Sequence, residues 1–234
     1  MMKISKVALQ LYLYASIITV LAVFFDWKWV EFVVKPIIVP SIFYYYTQVN
    51  KNEFSIVVTI LLVLNFMSDM IAVFDFENKG EVVVALNLII NIILFYFFIS
   101  DFFILKNFDR RNLPQLTIFL LGFLIITHIT LTLMPGLNLM RLFYYLIYGI
   151  VLSLLATVSI QNYIASNNIK SFYGMLVSIA FVFTDTFYVI YNYYLPMKVF
   201  LLFNLAIQFG SYFYLVKYFA AIPHNETQND RKTI

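Results

Sequence analysis

Residues 65–75 read NFMSDMIAVFD, which places Asp69 inside a stretch that is otherwise apolar enough for a lipid bilayer. The surrounding segment, 54–75, contains neither proline nor glycine. At 1.5 Å per residue it crosses a hydrocarbon core of ~30 Å as one helix. Because a charged carboxylate costs at least ~2.5 kcal/mol at that depth, Asp69 needs a partner, a proton or a function.

The composition of the whole chain agrees with a membrane setting. Of its 234 residues, 63% are hydrophobic and 12% are charged, about half the charged share of a soluble domain. Backbone polar groups inside a bilayer must pair within helices or a closed barrel, and long unbroken apolar runs favour helices. The net charge of +3 is too small to indicate a nucleic-acid partner, and the absence of cysteine excludes disulfide and thiolate chemistry.

Polar punctuation divides the chain into eight apolar segments joined by short connectors. They cover residues 5–25, 30–47, 54–75, 82–104, 115–134, 139–161, 172–193 and 197–219. The sequence therefore predicts an all-α membrane protein with a single domain, an eight-helix transmembrane bundle over residues 1–220. A short polar C-terminal tail, 221–234, follows it.

Basic residues predict the orientation of this bundle. Ten of the 15 lysines and arginines lie on the side of the N-terminus, and five lie on the other side. Those five are Lys28, Lys35, Lys79, Arg141 and Lys198. By the positive-inside rule, both termini are expected in the cytoplasm.

Five or six segments place their most polar residue at a similar depth. These residues are Lys35, Asp69, His128, Tyr148, Asp185 and Gln208. Asp69 and Asp185 both lie roughly 20 Å from the cytoplasmic side by helical rise. Coincidence explains two such helices more easily than six, so the pattern predicts a shared cavity in the outer half of the bundle.

Each of these residues also has a structural interpretation. An isolated aspartate can hydrogen-bond a neighbouring helix, His128 can serve as a structural donor, and Lys35 can extend its ammonium to the membrane interface. Asp101, near the cytoplasmic end of its segment, is expected to face the lipid headgroups or to pair with Arg110 or Arg111. For the pair of aspartates, a functional role is favoured.

Short matches indicate an internal duplication. Ser68–Asp69 and Thr184–Asp185 lie four segments apart, and Asn87 and Asn91 precede Asn204 and Gln208 by 117 residues each. The pattern predicts two parallel four-helix halves.

The order and spacing of the polar residues resemble the YhhN-type integral membrane family, which includes the lysoplasmalogenases. That family is similar in having eight helices with characteristic short motifs. The matching residues here are Lys35–Pro36, Ser68–Asp69, Tyr148, Gly174, Thr184–Asp185–Thr186, Asn192 and Gln208. One position departs from the pattern: the fourth segment carries Asn91 where the family has a histidine, and His128 lies in the fifth.

The resemblance implies hydrolysis of the vinyl ether bond of lysoplasmalogens, in the bacterial inner membrane, without a metal or organic cofactor. The products would be a fatty aldehyde and a glycerophospho-headgroup, and the partners would be the lysophospholipid substrate and membrane lipids. We hypothesise that Asp185 is the general acid and Asp69 the base, two carboxylates in different environments. Lys35 and Arg141 would bind the phosphate, and Tyr148, Gln208, Asn192 and His128 would complete the substrate site.

A proton-coupled transporter of a lipid or a small polar solute is the alternative function. Paired intramembrane aspartates and a possible duplication are typical of both classes. A transporter needs a polar path to both faces, whereas the sequence is expected to keep the inner halves of its helices apolar. This difference favours the enzyme.

Overall fold

The computed structural model describes residues 2–50, 55–73, 79–104 and 113–221. Within these ranges it contains eight α-helices and one short π-helical segment, Ile190–Tyr194, that continues the seventh helix. The helices are α1 (Met2–Phe24), α2 (Lys28–Val49), α3 (Ile56–Val73), α4 (Lys79–Ile104), α5 (Leu113–Thr132), α6 (Leu139–Ser166), α7 (Ile169–Val189) and α8 (Lys198–Ala220). The predicted tail lies outside the described residues, apart from Ala221.

The all-helical architecture and the number of helices confirm the prediction from sequence. Seven of the eight helices are long and apolar enough to cross a membrane, which is the architecture of a multi-pass membrane protein. The helix that is not among the seven is α2, which carries Lys28, Glu31 and Lys35 as well as Pro36 and Pro40.

Asparagine caps fix where two helices that carry site residues begin. The Asn138 side chain accepts a hydrogen bond from the backbone nitrogen of Arg141 at 2.8 Å, and Asn168 accepts one from that of Ser171 at 2.7 Å. Such caps satisfy backbone donors that the first turn of a helix leaves without partners. Asn167, between the two helices, adopts a left-handed conformation with φ 47° and so ends α6.

The helices pack as a ring with one helix outside it. Most neighbours in sequence are neighbours in space, but α4 packs against α6, and α8 closes the ring against α7, α1 and α2. Helix α5 packs mainly on α6, and none of its residues is buried. It is therefore a peripheral helix, and α6 provides much of the buried wall of the bundle.

Polar contacts tie the helix ends together at the face of the bundle that carries the N-terminus. The Lys170 ammonium of α7 lies 2.7 Å from a carboxylate oxygen of Asp101 in α4, and the Tyr218 hydroxyl of α8 donates to the other oxygen at 2.7 Å. The partners that the sequence predicts for Asp101, Arg110 and Arg111, lie outside the described residues. Lys170, which begins the seventh helix, is its partner in the structure.

The opposite face has its own ion pairs. Arg141 Nε lies 2.7 Å from Glu81 Oε1, which joins the first turns of α6 and α4. Lys198 at the start of α8 pairs with Asp26, in the connection after α1. Because all four side chains are substantially exposed, these pairs fix the relative positions of the helix ends more than they stabilise the fold.

Candidate active site

A polar cavity of about 300 Å³ lies between α2, α3, α4, α7 and α8. Five of the site residues predicted from sequence border it: Lys35, Asp69, Asp185, Asn192 and Gln208. Glu31, one helical turn before Lys35, also lies on its wall. The two aspartates, separated by 116 residues in sequence, therefore face the same space.

Asp69 is held by two donors from α8. Its side chain is 2% exposed, Gln208 Nε2 donates to Oδ1 at 2.7 Å, and the Tyr212 hydroxyl donates to Oδ2 at 2.8 Å. Gln208 also donates to the Tyr212 oxygen at 3.0 Å. Gln208 and Tyr212 are four residues apart and so share one face of the helix. With a donor on each oxygen, this environment suits an ionised carboxylate, which can only accept hydrogen bonds.

Lys35 supplies positive charge inside the bundle. It is 5% exposed, its Nζ lies 4.0 Å from Glu31 Oε1, and it lines the same cavity as Asp69. An ammonium at the membrane interface would be exposed, so Lys35 does not extend to the interface here. The cavity wall thus combines one cation with carboxylates, as buried charges require.

Asp185 has a different environment. The Tyr148 hydroxyl of α6 donates to Asp185 Oδ2 at 2.5 Å, and no described residue donates to Oδ1. Unlike Asp69, the Asp185 side chain is partly exposed to the space around it. The Tyr148 hydroxyl therefore fixes the carboxyl group through Oδ2, while Oδ1 stays available to carry a proton.

A small chamber adjoins the cavity on the side of Asp185. It measures about 30 Å³, which is room for about two waters at ~10–15 Å³ each. Its wall includes Asn87, Asn91, Tyr148, Thr184, Asp185, Gln208 and Tyr212. Two buried polar atoms of this wall, Asn91 Nδ2 and Thr184 Oγ1, have no hydrogen-bond partner among the described residues. Buried polar atoms are normally satisfied, so the chamber suits a small polar ligand such as water.

An apolar groove between α5, α6 and α7 reaches Asp185 from the third side. Its volume is about 90 Å³, and its wall includes Phe123, Ile126, Leu152 and Val182. Asp185 lines the cavity, the chamber and the groove together.

Two residues predicted for the site lie elsewhere. Arg141 is half exposed and paired with Glu81 at the end of α6, and it lines none of the three spaces. His128 is exposed on α5 and lines none of them either. Its helix lies outside the ring. Asn192 lies exposed on the wall of the cavity, where it donates to the Tyr188 carbonyl at 2.8 Å.

The sequence reasoning missed Tyr212, which donates to Asp69. The signal is present in the sequence, because Tyr212 follows Gln208 by one helical turn on the same face. Asn91, which in sequence is only a departure from the family pattern, lies in the chamber beside Tyr148 and Asp185.

The half of α6 nearer the face of the bundle that carries the N-terminus is more polar than expected. Ser153, Thr157, Gln161 and Asn162 are all buried there. Asn162 donates to the Phe98 carbonyl at 2.7 Å, whereas neither amide atom of the Gln161 side chain has a partner among the described residues. The expectation that the inner helix halves are apolar is therefore wrong for α6.

Within the described ranges, no three His, Cys, Asp or Glu side chains gather in a way that could hold a metal ion. Comparison with known proteins adds no identity, since no family model, no curated protein and no solved structure matches the chain.

Proposed function

We propose that the protein is an integral membrane hydrolase that cleaves the vinyl ether bond of lysoplasmalogens. One observation carries the proposal: two aspartates from distant parts of the chain border one cavity but have different hydrogen-bond partners. Enzymes that pass through an oxocarbenium ion use two carboxyl groups in this way, one as an acid and one as a base or stabilising anion.

Asp185 is the general acid in this proposal. Hydrolysis begins when a proton adds to the outer alkenyl carbon, which leaves an oxocarbenium ion at the carbon attached to oxygen. Tyr148 holds Asp185 through Oδ2, so Oδ1 is the oxygen that can carry and deliver the proton. Partial exposure to the cavity gives a substrate access to that oxygen.

Asp69 is the base. Its two donors and the nearby Lys35 ammonium stabilise its charged form. Water adds to the oxocarbenium carbon, gives up a proton to Asp69, and forms a hemiacetal. The hemiacetal then collapses to the aldehyde and the glycerol hydroxyl, and the proton on Asp69 returns to Asp185 through water in the cavity that both border. Each turnover therefore consumes one water and leaves both carboxyl groups as they began. The chamber beside Asp185 is suited to supply that water, because its wall carries polar atoms without partners among the described residues.

Lys35 is the group proposed to bind the substrate phosphate. It lies in the cavity, whereas Arg141 is engaged by Glu81 at the end of its helix. Arg141 and His128 therefore lie outside the proposed site.

Aldehyde release tests the function. Purified protein in detergent would receive an alkenyl lysophosphatidylethanolamine, and free aldehyde would be followed by mass spectrometry. Asp69→Asn and Asp185→Asn are expected to lose activity by at least ~100-fold, in line with loss of an acid or a base. Asp101→Asn is the matched control, because Asp101 pairs with Lys170 outside the cavity and should leave activity within a few-fold. A folded parent that releases no aldehyde from either the ethanolamine or the choline substrate would contradict the proposal.

In the proposed topology, the protein crosses the bacterial inner membrane eight times, both termini lie in the cytoplasm, and the cavity lies in the outer half of the membrane. The basic residues support this orientation. Because the chain has no cysteine, single-cysteine variants report accessibility without background. Met140→Cys, at the exposed start of α6, should react with an impermeant maleimide in intact cells, and Ile169→Cys at the start of α7 should not. The reverse pattern would invert the topology.

Two parallel four-helix halves are also part of the proposal. Corresponding residues make related contacts: Ser68 donates to Asn87 Oδ1 at 3.0 Å between α3 and α4, and Asn204 donates to the Thr184 carbonyl at 2.7 Å between α8 and α7. If α1–α4 and α5–α8 are the two halves, α2 is equivalent to α6 and α4 to α8. The contact between α2 and α8 is then equivalent to the contact between α6 and α4, and both are present. These parallels support a duplicated ancestor.

A proton-coupled transporter is the second candidate function. The buried polar residues in the inner half of α6 favour it, because they extend polar groups beyond the cavity toward the N-terminal face. A transporter in liposomes with a pH-sensitive dye inside should move protons when a solute gradient is imposed, and Asp185→Asn should abolish that movement. Aldehyde release without proton movement would decide for the enzyme.

A further inference from the structure

The apolar groove has the depth of one membrane leaflet. It borders the second half of α5 and the turn that follows, from Phe123 to Met134. At 1.5 Å per residue the helical part of this stretch, Phe123 to Leu131, rises about 12 Å, which is most of one leaflet of a ~30 Å hydrocarbon core. The groove therefore has the length available to one alkyl chain that stays parallel to the chains of the surrounding lipid.

The groove adjoins the polar cavity. Gly80, Val84, Asp185 and Tyr188 line both spaces, so the Asp185 carboxyl lies where the apolar wall meets the polar one. In a lysoplasmalogen the vinyl ether likewise lies where the apolar hydrocarbon chain meets the polar glycerol headgroup. A chain in the groove and a headgroup near Lys35 would bring the reacting bond to Asp185.

Helix α5 forms the outer wall of this groove and is weakly attached. It has no buried residue and packs mainly on α6. Its polar contacts with α6 concentrate at Thr127, which lies 3.1 Å from the Ser153 hydroxyl and donates to the Gly149 carbonyl at 3.4 Å. A chain can thus enter sideways from the bilayer past α5, without crossing a polar surface.

We propose that the groove between α5, α6 and α7 is the binding site for the single hydrocarbon chain of the substrate, an inference that rests on the proposed function. The enclosed volume of about 90 Å³ is smaller than the ~150 Å³ cavity that holds one benzene, so it takes a short segment of one chain, the rest of which lies along the apolar wall, and it leaves no room for a second chain. The groove thereby selects lysolipids over diacyl lipids, and its inner end at Phe123 and Ser153 sets an upper limit on chain length.

Photolabelling tests the site without relying on catalysis. The probe is a 1-alkyl lysophosphatidylethanolamine, whose saturated ether does not hydrolyse by this route, with a diazirine at the end of its chain. We expect the label on Phe123, Ile126 or Leu152, and a tenfold excess of unlabelled alkyl lysolipid should remove most of it. Label spread evenly over the lipid-facing surfaces, with no competition, would overturn the inference.

A pair of adjacent substitutions tests the chain-length limit. Ile126→Trp fills the groove, whereas Ile125→Trp adds the same bulk to a side chain that is 58% exposed on the same helix. For aldehyde release from a long-chain substrate, kcat/KM should fall at least tenfold in Ile126→Trp and less than twofold in Ile125→Trp. Equal effects of both variants would overturn the inference.

Failure of the proposed chain site can be distinguished from failure of the proposed reaction. Specific labelling of the groove with no aldehyde from the alkenyl substrate would support the chain site and refute the proposed reaction. Aldehyde release with non-specific labelling would support the reaction and refute the chain site.

Discussion

Replacement of Gly149 by alanine tests the contact that holds α5 to the bundle. A Cβ at Gly149 would lie 2.2 Å from Thr127 Cγ2. Since carbon atoms in packed proteins are normally ~3.5–4.0 Å apart, α5 would have to move by about 1.3 Å or Thr127 would have to change rotamer. Overpacking of this kind typically destabilises a protein by ~1–3 kcal/mol, and we expect Gly149→Ala to fall in that range.

A second substitution should relieve the clash. Thr127→Ser removes Cγ2 and keeps the hydroxyl that contacts Ser153. The atoms nearest to the new Cβ would then be Oγ at 3.2 Å and the Cβ of residue 127 at 3.3 Å, which small shifts can accommodate. Loss of a methyl group alone costs about 0.5–1.5 kcal/mol. The double variant should therefore be about 1–2 kcal/mol more stable than the sum of the single effects predicts.

The free energy of unfolding would be measured by SDS titration in mixed micelles, with far-ultraviolet circular dichroism as the signal. Gly122→Ala is the control, because Gly122 lies on α5 and a Cβ added there would have no neighbouring atom within 4 Å. Alanine there should leave the stability unchanged or raise it by up to about 1 kcal/mol through helix propensity. A Gly149→Ala protein as stable as the parent, or one that Thr127→Ser fails to rescue, would refute the contact.

Three further predictions concern other parts of the bundle. Tyr148→Phe should lower kcat about 10- to 100-fold while the fold stays intact, because it leaves Asp185 Oδ2 without its donor, a loss that costs ~1–3 kcal/mol; an unchanged kcat for aldehyde release would remove Tyr148 from the mechanism. Lys170→Met should lower the free energy of unfolding by about 1–2 kcal/mol in the same SDS titration, and Asp101→Asn should recover part of that loss because the unpaired carboxylate is gone; no recovery would argue against their ion pair. Gly174→Ala should cost less than Gly149→Ala in that titration, since its Cβ would meet only aromatic side-chain atoms at 3.2 Å or more; an equal or larger cost would contradict this difference.

The sequence alone predicts the helices well because the polar residues of the connectors are easily distinguished in an apolar chain. The largest error is at the end of α6, which is Ser166 rather than 161, and the next helix, α7, begins at Ile169 rather than 172. The polarity of the segment NNIKS indicates a loop, but Asn167 and Asn168 are enough to end one helix and cap the next. Cap residues therefore define the turn more closely than polarity does.

The packing of the helices could not be predicted in the same way. In a helix of a soluble protein, polar residues identify the face directed away from the core. In a membrane helix, the side that faces lipid and the side that faces the protein interior are both apolar, so this signal is absent. Helix α5 looks as hydrophobic as its neighbours, yet it lies outside the ring and lets α4 contact α6. This position also explains His128: helical rise gives the depth of a residue but not the direction in which it points.

The two aspartates show how similar sequence contexts can give different chemistry. Each follows a hydroxyl residue in its helix, and each lies beside an asparagine-bearing neighbour helix. Asp69 receives two donors from α8 and the influence of Lys35, whereas Asp185 receives one donor from α6 and borders an apolar groove. If the halves arose by duplication, two equivalent carboxyl groups needed only changes in their partners to become a charged base and a protonated acid. Removal of one hydrogen-bond partner is then more informative than removal of an aspartate. Gln208→Leu should remove the donor to Asp69 Oδ1 and leave the Tyr148–Asp185 contact in place.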